Sequence, residues 1–172
     1  SRRTFFRYFS GKDDVLFADQ REGVDALGRD LTDRPSDEPP MTALRRALIS
    51  MTAKYEIDRE RLFRRARITA GTPSLQTRTL YHQRAGEEFV TELVADWLGV
   101  DAVTDLRPAI VAATTLAAVR VAFNAWLAGD GQADLSALAA EALDLLDGGL
   151  GECVSRRGKV LASVSGEVWV PG

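Results

Sequence analysis

Apolar side chains return every three to four positions along most of this chain, the period of helices with one buried face rather than of half-buried strands. Over residues 12–32 they fall at Val15, Leu16, Ala18, Val24, Leu27 and Leu31, which predicts a helix that Gly23 and Gly28 weaken but do not stop. The following DRPSDEPP, residues 33–40, is polar and proline-rich, so it ends that helix and supplies a linker or hinge. Residues 41–56 and 60–70 read as two amphipathic helices halted by Gly71-Thr72-Pro73. Ser74 stands where it can cap a longer helix that reaches Trp97 or Leu98 and closes at Gly99. Pro108 suits the first turn of the next helix, which carries Ile110, Val111, Leu116, Val119, Val121, Phe123, Trp126 and Leu127 before Gly129-Asp130-Gly131 ends it. That helix is apolar nearly all round, which implies cover on two sides, its own core and a partner subunit. Residues 134–146 form the last clear helix, and two such antiparallel neighbours can build a four-helix interface with a symmetry mate. From Gly151 onward valines alternate with small or polar residues, a pattern closer to strand.

The opening segment, SRRTFFRYF, reads as a short helix in which Phe5 and Phe9 share a face while Arg3, Thr4 and Arg7 point elsewhere; Ser10-Gly11 stops it. Charge separates this end from the rest: Arg2, Arg3, Arg7 and Lys12 give the first 12 residues +4, against a net charge of −3 for the whole chain. The remainder is therefore acidic, and the positive end is a small island.

At 172 residues and 45% hydrophobic, the chain can bury a substantial core without disulfide or metal staples. Its single cysteine, Cys153, excludes an intramolecular disulfide and any four-cysteine zinc site, and fits a reducing cytoplasm. No uninterrupted apolar run approaches the roughly twenty residues that cross a bilayer, so a soluble protein with no membrane partner is expected. His82 is the sole histidine, which rules out a multi-histidine metal site within one chain and leaves any His-based triad dependent on it. The GDG and DGGLG stretches fit helix stops better than phosphate loops, and nothing else assembles a catalytic constellation. A non-enzyme without cofactors is expected.

The run SRRTFFRYFSGKDDVLFAD resembles the recognition helix and the start of the fourth helix of TetR-family transcriptional regulators: Thr4 before Phe5 and Phe6, then Tyr8-Phe9, a short turn, Lys12 and an acidic-hydrophobic run. The arginine-rich helix, the Trp97-Leu98-Gly99 closure and the Trp126-Leu127-Ala128-Gly129 helix end are similar to regulators of mycofactocin-system type. The resemblance covers residues 1–150 or so. It implies an all-α fold: part of a helix-turn-helix domain over 1–33, lacking the two helices the family places ahead of it, then a helical ligand-binding and dimerisation domain over 41–150. The tail, 151–172, has no counterpart. Carried over residue by residue, Ser1, Arg2 and Arg3 match the helix start that enters the major groove, where arginine can grip a guanine edge with two hydrogen bonds. Thr4, Phe6, Arg7 and Tyr8 match DNA-facing positions, and Lys12 matches a phosphate-binding lysine. Phe5 and Phe9 would pack on the missing helices.

The resemblance also implies an apolar effector cavity, for which Phe63, Tyr81, Phe89, Phe123 and Trp126 are the aromatic candidates. Arg61, Arg64 and Arg67, three apart on one helix, can present guanidinium groups to an acyl-type or anionic ligand; of these Arg64 and Arg67 are taken as ligand-binding, although such a run is more often a solvated face. The expected protein is a homodimer, joined through helices at about 108–128 and 134–147, that binds a palindromic DNA operator and releases it on binding a small apolar or acyl-type effector. The competing reading is a helical dimerisation or interaction module with incomplete or lost DNA binding. An enzyme reading comes third.

Overall fold

The computed structural model describes residues 18–35, 37–57 and 59–149. The segment carrying Ser1, Arg2, Arg3, Thr4, Phe6, Arg7, Tyr8 and Lys12 lies outside the described residues, as does the valine-rich tail. Among the described residues the structure is all-α. Its helices are α1 (Ala18–Thr32), α2 (Pro40–Ile57), α3 (Arg59–Ala70), α4 (Pro73–Leu98), α5 (Leu106–Ala128) and α6 (Leu135–Asp147).

Local chemistry sets most of the helix ends. Gly99 takes the left-handed conformation (φ +64°) that closes α4; its N–H donates to the Asp96 carbonyl and the Val100 N–H to the Ala95 carbonyl. Asp105 caps α5 by accepting from the Arg107 N–H at 2.9 Å, and Asp134 caps α6 by accepting from the Ala137 N–H at 2.9 Å. At the start of α4 the cap differs from the expected Ser74. Pro73 already occupies the first turn, where its missing N–H costs nothing, and Thr72 takes the cap position without a side-chain hydrogen bond.

Helix α5 lies between α4 and α6, α2 packs on α6, and α1 packs on α2. Alanines make these approaches close: Ala43 and Ala47 on α2, Ala112 on α5 and Ala139 on α6 have no exposed surface. Around them one core joins Leu27 and Leu31 of α1 to Leu44 and Leu48 of α2, Val90 and Val94 of α4, Val119 of α5 and Leu143 of α6. Arg45 ties α2 to the end of α6, pairing with Asp144 at 2.7 Å and donating to the Ala140 carbonyl at 3.3 Å.

The α5–α6 turn is clamped from several sides. Trp126 Nε1 donates to the Ala133 carbonyl at 3.0 Å, Arg59 of α3 donates to the Asp130 carbonyl, and the Glu56 carboxylate at the end of α2 accepts from the Leu135 N–H. Gly131 sits in the middle at φ +62°.

Helix α5 corrects one sequence expectation. Arg107 and Arg120 interrupt its apolar run, yet its 23 residues are long and apolar enough to cross a bilayer. Only 28% of its most apolar stretch is buried within the chain: Pro108, Ala112, Thr115, Val119, Ala122 and Trp126 face the core. On the other side Leu106, Ile110 and Val121 are exposed at 73%, 56% and 64%. One side of the two-sided cover expected from sequence is therefore present in the chain itself.

Candidate ligand cavity

A cavity of about 390 Å³ lies between α1, α2, α3, α4 and α5, within the size range of small-molecule sites. Each wall follows from helical spacing. On α3 the inward stripe is Leu62, Arg65, Ala66 and Thr69; on α4 it is Thr79, His82, Gln83, Gly86 and Val90; on α5 it is Leu116, Val119, Arg120 and Phe123. Val24 and Leu27 of α1 and Met51 and Tyr55 of α2 complete the apolar end. Gly23 lets α1 settle here, since a Cβ built on it would lie 2.9 Å from the Tyr55 hydroxyl.

The polar groups are few and convergent. Arg65 of α3, His82, Gln83 and Glu87 of α4, and Arg120 and Asn124 of α5 all line the space. His82 is buried, its ring 5.8 Å from that of Tyr81 in an edge-on contact. Arg120 and Glu87 face one another across α4 and α5 at 3.8 Å, with both side chains more than a third exposed. An ion pair in that setting contributes no more than about 1 kcal/mol, so it can part for a ligand at low cost.

Phe123 is the sequence-predicted ligand residue that lines the cavity. Trp126 stands behind it, ring centroids 6.0 Å apart, and Phe63 lies 5.2 Å from Trp126, so these three make an aromatic wall whose outer members are one layer removed. Phe89 packs instead against α1, where the bare Cα of Gly28 admits its ring. Tyr81 is 55% exposed, and Arg64 and Arg67 point to solvent, Arg64 pairing with Glu60 at 3.0 Å. The α3 arginine that does line the cavity, Arg65, is not one of the evenly spaced row. Its signal was available: Arg65 is three residues from Leu62 and four from Thr69, on the buried stripe, whereas the Arg61-Arg64-Arg67 row lies on the opposite face. His82 and Arg120 carried no comparable signal, because what brings them together is the packing of α4 on α5.

Among the described residues the site is thus a cavity inside a helical bundle, beside a helix, α5, whose outer apolar face is uncovered. Residues 38–151 match the MftR C-terminal domain family. The chain belongs to the TetR family of transcriptional regulators, in its MftR-type branch. Among curated proteins it is similar to the one described as mycofactocin biosynthesis transcriptional regulator MftR of Mycobacterium tuberculosis (strain ATCC 25618 / H37Rv). The two are 30% identical over 150 residues, 87% of this chain and 75% of the relative.

Proposed function

We propose that the protein is a one-component repressor: a homodimer that grips a palindromic operator through Ser1, Arg2, Arg3, Thr4, Phe6, Arg7, Tyr8 and Lys12, and lets go when a small apolar or acyl-type effector fills the cavity. The observation that carries this reading is that α1, the helix next in sequence after the basic segment, contributes Val24 and Leu27 to the cavity wall. A ligand that pushes on those two side chains acts directly on the element that sets the spacing of the two DNA-reading segments. It need only favour a spacing that does not match the half-sites. Cavity residues Phe123, Arg65 and Arg120 contact the effector, with Phe63 and Trp126 backing them. Dimerisation uses α5 and α6, on the exposed Ile110, Val121 and Leu145. The protein works in the cytoplasm, with no catalytic role and no cofactor.

The test is operator binding by the full-length regulator at fixed salt, with and without saturating effector. Arg3→Ala is expected to weaken specific binding by about 1–3 kcal/mol while leaving non-specific binding nearly unchanged. Unchanged operator affinity with the cavity verifiably occupied would refute the coupling. Dimers that never bind DNA specifically would instead favour a helical interaction module, the reading that the uncovered face of α5 alone would support.

A further inference from the structure

We infer that Gly86 decides which ligands the cavity takes: its bare backbone leaves a passage along α4 through which an elongated, unbranched ligand reaches from the polar groups at His82 and Gln83 to the wall formed by α1. This rests on the effector reading above. Glycine weakens a helix relative to alanine, and Gly86 lies well inside α4. Two glycines of α1 are explained by their neighbours: a Cβ on Gly23 would lie 2.9 Å from the Tyr55 hydroxyl, and one on Gly28 would lie 3.1 Å from Phe89 Cζ. A Cβ on Gly86 meets nothing within 4 Å. The space it would enter is the cavity. Gly86 is one turn from both His82 and Val90 and three residues from Gln83, so it stands in the middle of the stripe that α4 turns to the cavity, away from the exposed Arg84.

Two contacts fix its level in the bundle. Glu87, the next residue, faces Arg120 of α5 at 3.8 Å, so the passage runs past Val119 and Arg120. Phe89 meets Gly28 of α1, which sets Leu27 at the level of Val90. From His82 to Val90 is about 12 Å along the helix axis, and Gly86 stands at the midpoint. The ligand class that fits is a flexible chain with one polar end and about the length of a dodecyl group. A side chain at position 86 would divide the space. A short guest would still bind beside His82 and Gln83, but a long one would lose the apolar end and, with it, its hold on Val24 and Leu27.

The test compares dodecanoate, long enough to span the passage, with hexanoate, too short to do so, by titration calorimetry on the full chain and its Gly86→Leu variant. Gly86→Leu should weaken dodecanoate binding at least about tenfold while changing hexanoate binding less than about twofold. Gly86→Ala, whose methyl enters open space, should raise the thermal unfolding midpoint by about 1–4 °C, and Gly28→Ala, whose methyl meets Phe89, should raise it less. Unchanged dodecanoate affinity in Gly86→Leu, or equal losses for the two probes, would overturn the passage and leave the cavity as the binding site. A lowered midpoint for Gly86→Ala would overturn it as well, because the added methyl would then be meeting atoms rather than space. A parent that takes up neither probe would overturn the effector reading and the inference with it. Gly86→Met, unbranched and a good helix former, repeats the comparison should Gly86→Leu not fold.

Discussion

Replacing Gly131 by alanine separates two costs that a tight turn ordinarily confounds. The residue sits at φ +62°, where an alanine Cβ crowds the backbone at about 1–2 kcal/mol. That Cβ would also lie 2.9 Å from Trp126 Cζ2, 3.0 Å from Phe63 Cε2 and 2.9 Å from Arg59 Nε. The arginine is exposed and can swing away, but the indole cannot: Trp126 is 1% exposed, held by its bond to the Ala133 carbonyl and packed against two rings. Forcing a methyl into such packing costs about 1–3 kcal/mol. Gly131→Ala should therefore lose about 2–5 kcal/mol and lower the midpoint of thermal unfolding, followed by helical circular dichroism, by about 5–15 °C. Gly99→Ala is the matched control. Its φ is +64° and nothing lies within 4 Å of the new Cβ, so it should carry the backbone cost alone, about 1–2 kcal/mol. Phe63→Leu in the Gly131→Ala background should return part of the difference, as an interaction energy of about 0.5 kcal/mol or more. Equal losses at the two glycines, or strict additivity with Phe63→Leu, would refute the clamped-turn account.

Three further outcomes follow from the same packing and caps. Trp126→Ala, which removes the largest fully buried side chain among the described residues and its link to Ala133, should cost about 3–5 kcal/mol in urea unfolding; a loss under about 1 kcal/mol would mean the turn does not depend on it. Asp134→Ala, which deletes the hydrogen bond to the Ala137 N–H, should cost about 1 kcal/mol, and Asp134→Asn should recover most of it. Hydrogen bonding from the Arg107 side chain, then from its backbone N–H, holds the Asp105 carboxyl down at about 2 from its ordinary 3.8. Because the folded value is the lower one, the stabilisation is complete above 3.8 and fades as pH falls toward 2. Between those limits the urea midpoint of Asp105→Ala should fall less steeply with acid than that of the parent, and parallel curves would count against the cap.

What the sequence revealed about this molecule is what is decided within a few residues. Gly99 ends a helix and Asp134 begins one because a missing Cβ or a short carboxylate acts on its own backbone, and both were legible. Thr72 and Ser74 were confused for the same reason: both can cap, and Pro73 between them decides. The breadth of the apolar surface on α5 announced a helix covered on two sides, yet hydropathy carries no mark of what does the covering. The cavity was the least legible. Aromatic identity pointed to Phe123 and Trp126, but whether a ring meets empty space or a neighbouring ring depends on how α3 leans on α5. Likewise, counting arginines favoured the row with the most regular spacing, when the informative quantity was distance along the buried stripe from Leu62.

The way α3 is held has a bearing on what the protein can recognise. Only one of its side chains, Leu62, is fully buried, with Phe63 seated against Trp126 at the same end. The walls facing it, α4 and α5, are anchored by Val90 and Val94 and by Val119, Ala122 and Trp126, all buried. One wall of the chamber is rigid and the other compliant. Under the proposed effector reading, guests differing by a methylene or two would be met by a tilt of α3 rather than by rejection, and discrimination would fall to the polar groups at Arg65, His82 and Arg120. Affinity along a homologous series of alkyl chains should then be nearly flat, and it should change sharply when the polar end of the molecule is altered.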